Sequence, residues 1–189
     1  MEFIVETAYD QKAIAMMAKA LRKTTRSKSS KRSHIFGIAV MILAVVLTLP
    51  IGEKEFVLDF RTIFTWAIAA IIFFTLIFED SINGYVARKR MLPGLAKSTV
   101  TFKEDGYHAE TEIGSSDFMY STIQGLAESE DYLMFIFGKN HAQIYNKNSI
   151  SGGTIEEFRE FITCVTGKTI QIVFADGNMA ENARQTWRK

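Results

Sequence analysis

Two stretches break the mixed polar and apolar pattern of this chain. From Ile35 to Ile51 the sequence reads IFGIAVMILAVVLTLPI, and from Thr62 to Phe78 it reads TIFTWAIAAIIFFTLIF, neither with a charged residue. Each run is about seventeen residues, close to the shortest helix that crosses a hydrocarbon core of ~30 Å at 1.5 Å per residue. Ser33, His34 and Phe60 lengthen the spans a little. A buried helix of a soluble protein usually carries a polar stripe, and neither run has one. A cleaved signal peptide fits poorly, because more than thirty residues of structured-looking sequence precede the first run. The pattern predicts a two-span membrane hairpin within residues 34–90, with spans at about 35–51 and 62–78.

Before the hairpin, Phe3, Ile4 and Val5 read as a short strand. Asp10 is placed to cap a helix whose apolar face carries Ala13, Ile14, Met17 and Leu21, spaced by three and four. Such a stripe needs a cover, and the simplest cover is the domain that follows the membrane. Residues 24–33, rich in Ser, Lys and Arg, read as a linker or a frayed extension of the first span. Residues 1–33 are thus an N-terminal cytoplasmic strand-helix segment with a basic linker.

After the hairpin the helix is expected to run to Arg90 and to end at Pro93-Gly94. A series of short alternating strands follows. Val100 and Phe102 face one side in the first. Asp105-Gly106 marks a hairpin, and Tyr107, Ala109, Thr111 and Ile113 alternate with His108, Glu110 and Glu112. Gly114-Ser115 is read as the turn into a third strand through Phe118 and Tyr120. Residues 123–128 are a weaker segment. Residues 132–137, YLMFIF, are apolar on both faces, as in a strand covered on both sides. Residues 141–145 alternate again. Thr154 then caps a helix with Glu156 and Glu157 in its first turn and Ile155, Phe158, Ile162 and Val165 on its apolar face. Residues 169–174 add a further strand candidate, and 175–189 read as a disordered tail. The expected fold class is α+β: a transmembrane hairpin followed by a small antiparallel β-barrel, residues 96–174, closed by a C-terminal helix.

Charge changes the picture chiefly through its placement, since the 189-residue chain has a formal net charge of only +1. Lys19, Arg22, Lys23, Arg26, Lys28, Lys31 and Arg32 precede the first span, and Arg88, Lys89, Arg90 and Lys97 follow the second. The connecting loop holds Lys54 and Arg61 against Glu53, Glu55 and Asp59. Basic residues stay on the cytoplasmic side during insertion, so the expectation is a multi-pass cell-membrane protein with both termini cytoplasmic. The basic run also offers a contact for anionic inner-leaflet lipid. Nucleic acid is not expected, because TTRSKSSKRS lacks aromatic or groove-reading context.

The segment VTFKEDGYHAETEIGSSDFMYSTIQGLAESEDYLMFIFGKNHAQIYNKNSI, followed by the helix GTIEEFREFIT, resembles the YcxB-like family of bacterial membrane proteins. The likeness is one of layout and hydrophobic spacing, covering residue 1 to about Thr166. It departs at Asn146-Lys147-Asn148, where many such sequences favour a proline. The resemblance implies a pleckstrin-homology-like barrel from about Ser98 to Gly167, and it brings no functional residues to carry over.

Candidate chemistry is sparse. The three histidines, His34, His108 and His141, stand far apart with no metal-ligand spacing, so no metal or other cofactor is expected. Glu110 and Glu112 share a polar strand face with His108, where solvated roles are usual, and no paired carboxylates are set up for acid-base work. The single cysteine, Cys164, excludes an internal disulfide and reads as a packed helix residue. No phosphate-binding loop or nucleophile elbow is present, so no catalytic residue is assigned. The leading expectation is a non-enzymatic membrane-anchored binding or scaffold protein that presents its domain to a protein or peptide partner. A small membrane enzyme or an accessory subunit of a transporter complex is the alternative, and a self-associating structural protein is a third class.

Overall fold

A computed structural model describes residues 2–49 and 58–173. The chain runs β1 (Phe3–Ala8), α1 (Gln11–Lys23), α2 (Ser27–Val46), α3 (Phe60–Ile77), α4 (Glu79–Lys89), then β2 (Lys97–Phe102), β3 (Tyr107–Thr111), β4 (Gly114–Phe118), β5 (Gly125–Glu128), β6 (Tyr132–Ile136), β7 (Ala142–Asn146), β8 (Ile150–Ser151), α5 (Ile155–Thr166) and β9 (Ile170–Ile172).

The strands form two sheets. One has the order β4-β3-β2-β1-β8 and the other the order β7-β6-β5-β9. The expected closed antiparallel barrel is therefore not what forms: the sheets are separate, and β9 runs parallel to β5, with Leu126 opposite Ile170. Strand β1, read from the sequence as a short strand at Phe3, Ile4 and Val5, sits between β2 and β8. Its ladder with β2 is antiparallel along its whole length, from Phe3 opposite Phe102 to Ala8 opposite Lys97. Segments on either side of the helical hairpin thus share one sheet.

Alternation explains the layers. Phe3, Val5, Val100 and Phe102 point from the first sheet into a core that also receives Leu133 and Phe135 of β6, Tyr145 of β7, and Phe158 and Ile162 of α5. The opposite face of β6, Tyr132, Met134 and Ile136, packs with Ala13, Ala20 and Leu21 of α1. All five residues of β6 are buried, because a sheet-and-helix layer covers one face and a helix the other. Helix α1 begins as expected, with Asp10 accepting from Ala13 N at 2.7 Å. Helix α5 begins with a capping box, in which Thr154 accepts from Glu157 N and Glu157 accepts from Thr154 N.

Several local readings change. The β3–β4 turn is Glu112-Ile113, with Thr111 opposite Gly114, so Gly114-Ser115 starts the strand instead of turning the chain. Gly114 holds φ +156, nearly extended. Strand β4 ends at Phe118, and Tyr120 lies in a 3-10 turn, with its hydroxyl donating to Lys103 O at 2.7 Å. Cys164 is exposed on α5, not packed, because the apolar stripe of that helix is carried by Phe158 and Ile162.

The helices differ from expectation mainly at their ends. Residues from Ser27 onward are already helical, so the basic stretch is the first part of α2 and not a linker. Helix α2 ends at Val46; residues 50–57, with the end of the first expected span and most of the loop, lie outside the described residues, as does the tail from residue 174. Helices α2 and α3 are both long and apolar enough to cross a membrane, and almost none of either is buried within the protein. Where the two helices meet, Ala69 is buried and Thr48 accepts a hydrogen bond from Trp66 Nε1 at 2.9 Å. Gly37, not anticipated, provides the closest fit, since a Cβ there would lie 3.1 Å from Leu76 Cδ1.

Helix α4 turns back to pack on α1. Gly84 makes this possible: a Cβ at that position would sit 2.8 Å from the Cα of Ala15. The contact is tied by Arg22, whose guanidinium donates to both carboxylate oxygens of Asp80, at 2.8 and 2.6 Å.

Candidate functional site

The two sheets leave a seam open. Among the described residues β4 is paired only to β3, and β7 only to β6, so each presents a free edge. Between these edges lies a cleft of about 520 Å³, lined by Tyr9, Val100, Ala109, Phe118, His141 and Gln143 among others. Its walls follow from the sequence. Val100 and Ala109 are cross-strand partners in β2 and β3, and small residues there leave space. The polar, exposed strand β4, Gly114–Phe118, forms the rim.

The polar group at the base of the cleft is Gln143. Its Oε1 accepts from Tyr107 Oη at 2.8 Å and from Tyr145 Oη at 2.6 Å. Burial pushes both tyrosines well above the ordinary phenol range, so both hydroxyls keep their protons and Gln143 stays fixed. Its amide NH₂ has no hydrogen-bond partner among the described residues, and leaves its two N–H donors available. At one end of the seam Phe118 and Phe137 approach with ring centroids 6.3 Å apart, and His141 stands edge-on to Phe137 at 5.5 Å.

The cleft has mostly apolar walls, a few polar groups and, among the described residues, two unpaired strand edges. It does not place a nucleophile next to a base. Among the described residues no three His, Cys, Asp or Glu side chains are grouped to hold a metal ion. The three histidines are apart. His34 Nε2 lies 2.7 Å from Glu79 Oε2 at the head of the hairpin, His108 Nδ1 lies 2.7 Å from Asp117 on the exposed outer face of β3 and β4, and only His141 lines the cleft. Glu110 lies on the solvated face expected from its alternation, whereas Glu112, expected on the same face, falls in the β3–β4 turn; both are exposed, and neither is brought together with a partner among the described residues.

A carboxylate not singled out by any sequence pattern is Glu128, at the end of β5. It is buried and accepts from Lys147 Nζ at 2.8 Å and from Arg159 Nη2 at 2.6 Å. Burial acts to raise its pKa, and the Arg159 and Lys147 hydrogen bonds outweigh this and hold it below the ordinary carboxylate value. This triad joins β5, the turn before β8 and α5, away from the cleft; its role is structural.

The described chain is thus an α+β protein with two candidate membrane-crossing helices and a two-sheet domain. Within it, residues 102–162 match the YcxB family, described as YcxB-like protein. That segment runs from the end of β2 to α5 and includes the cleft-forming strands β3, β4 and β7. No curated protein matches the chain. A solved structure titled "Structure of the Spt16D Pob3N heterodimer" is similar at 11% identity and a TM-score of 0.30, over 43% of this chain and 48% of that one. The match spans about half the length of that chain, and a likeness of this size says nothing about function.

Proposed function

We propose that this chain is a non-enzymatic membrane-anchored binding or scaffold protein that presents a pleckstrin-homology-like domain to a protein or peptide partner in the cytoplasm. The observation that carries the reading is the exposed hairpin. Ile35, Phe36, Leu43, Phe64, Ile71 and Phe74 are each more than half exposed, an apolar surface far beyond what a soluble monomer leaves in water. A bilayer is the cover that suits two such helices side by side.

The β1–β2 ladder supports a hairpin topology. Phe3–Ala8 precedes the first span and Lys97–Phe102 follows the second, and the two pair along six residues. Pairing requires both segments on the same side of the membrane. The surplus of Lys and Arg at the inner ends of both spans favours the cytoplasm as that side.

The partner is best accommodated as an extended peptide in the seam. A strand laid along β4 or β7 would satisfy the backbone groups of the free edge, and the cleft would take one of its apolar side chains. A photoactivatable residue at Ser116 tests this in intact cells. The expected result is a discrete adduct with one protein, abolished by Ser115→Pro, which removes a backbone donor from the β4 edge, and absent when the photoactivatable residue is at Glu160 on α5. No adduct at Ser116, or the same adducts at both positions, would contradict a partner in the seam.

A further inference from the structure

A second concavity lies where the β-domain meets the head of α2. It has a volume of about 900 Å³, and its lining includes Arg22, Arg26, Lys28, Arg32 and Lys139 with Glu79 as the only carboxylate. Lys139 comes from the β6–β7 turn, more than a hundred residues from the other four basic residues. The two regions are pinned together by Arg26, which donates through Nε to Lys139 O at 2.8 Å and through Nη2 to Asn140 Oδ1.

The charges in this groove are unbalanced. Arg22 is spoken for by Asp80, and Glu79 by His34 and Arg22. Arg26, Lys28, Arg32 and Lys139 make no ion pair with any described residue. Four cations therefore share one hollow with the hydroxyls of Ser27, Ser29 and Ser30, a donor-rich surface suited to a phosphate.

Depth decides what kind of phosphate. The apolar part of α2 begins at Ile35, so Ser27 to His34 rises about 12 Å from the hydrocarbon boundary at 1.5 Å per residue. The headgroup layer beside a ~30 Å core is roughly 5–8 Å thick on each side. Arg32, about 4.5 Å above the boundary, then stands within the headgroup layer, and Lys28, at about 10.5 Å, stands just outside it with Arg26 and Lys139 beyond, from where their long side chains reach back to a lipid phosphate.

We propose that this groove binds the headgroup of an anionic phospholipid of the inner leaflet, such as phosphatidylglycerol, through Arg26, Lys28, Arg32 and Lys139. The inference rests on the membrane-anchored reading above and adds a ligand that the seam does not involve. Bound there, the lipid would bridge α2 and the β6–β7 turn and fix the domain's attitude to the bilayer.

Native mass spectrometry of the full chain, titrated in detergent with phosphatidylglycerol or phosphatidylcholine, tests it. Lys28 and Arg32 make no hydrogen bond to any described residue, so K28Q/R32Q removes charge without removing a contact that holds the fold. Wild type is expected to retain phosphatidylglycerol in preference to phosphatidylcholine, and K28Q/R32Q to lose affinity by about five-fold for each cation removed. K89Q/R90Q, which alters basic residues at the end of α4 and outside the groove, is expected to leave retention unchanged. Equal retention of the two lipids, or an equal loss in K89Q/R90Q, would overturn the groove. Inorganic phosphate that binds alone and displaces the lipid would show a free-anion site instead and overturn it as well. Alkaline carbonate extraction separates the two levels: a chain that leaves the membrane sinks the anchored reading and the lipid with it, whereas a chain that stays but shows no lipid preference sinks the lipid alone.

Discussion

Replacing Phe3 by alanine is expected to cost about 3–5 kcal/mol of domain stability, although the residue lies at the far N-terminus and is separated from its partners by the entire hairpin. Phe3 is fully buried. Its ring meets Phe158 at 5.1 Å in an edge contact and Phe161 at 5.3 Å, and Phe102 stands opposite it in the ladder. The cavity left by alanine would open between β1 and α5, where the surrounding rings are held by their own contacts and collapse poorly. Removing residues 2–8 altogether takes away the strand between β2 and β8 and is expected to abolish folding of the domain. Urea titration of the full chain in detergent, followed by the near-ultraviolet circular dichroism of the tyrosine cluster, measures the first effect. A Phe3→Ala midpoint indistinguishable from wild type would mean that β1 is dispensable and that residues after the hairpin fold by themselves.

The second large effect is expected at Glu128. Glu128→Ala leaves Lys147 and Arg159 facing each other without their carboxylate, in side chains only 14% and 17% exposed. Breaking a buried ion pair in this way costs about 3–5 kcal/mol. The exposed His108–Asp117 pair, at 46% and 87%, contributes far less because water screens it. The pH dependence has a definite sign. The folded-state pKa of Glu128 lies below its ordinary value of 4.5, so its contribution is present above about pH 4.5 and is lost as pH falls through the folded value. Wild type is therefore expected to lose stability on acidification through this window, and Glu128→Ala to show a weaker dependence there. Denaturant midpoints between pH 3 and pH 7, the range bracketing the ordinary carboxylate pKa, compare the two; parallel curves would remove Glu128 from the account.

Local patterns carried much of this fold. The doubly apolar run YLMFIF becomes a fully buried strand because periodicity reports how many faces are covered, and here both are. The caps at Asp10 and Thr154 could be read because each is satisfied within three residues of itself. The apolar stripe of α1 was visible, and so was its need for a cover. What the stripe could not say is that β6 and β7 supply that cover from more than a hundred residues away.

The parts that were not legible are long-range. Phe3–Val5 reads as a strand, but nothing in its own residues says that it inserts between β2 and β8. The parallel pairing of β9 with β5 likewise depends on where α5 returns the chain. The cleft was missed because its key polar group, Gln143, looks like any polar residue of an alternating strand; only Tyr107 and Tyr145 converging on one oxygen mark it. Glu128 gave no signal because its partners stand 19 and 31 residues further along. In the basic run, charge was visible but partnership was not. Arg22 belongs to Asp80 and Arg26 reaches the β6–β7 turn, contacts made far along the chain that no local pattern in the run announces.

The central claim is a hairpin that crosses the membrane and returns both halves of one domain to the cytoplasm, and its most direct test is accessibility. In a Cys164→Ser background, single cysteines are placed at Lys54, in the connecting loop, and at Glu112, on the exposed β3–β4 turn, one per variant, and intact cells are treated with a membrane-impermeant thiol reagent. The account predicts labelling of Lys54→Cys in intact cells and of Glu112→Cys only after the cells are opened. Labelling of Glu112→Cys in intact cells would place the domain outside and contradict it.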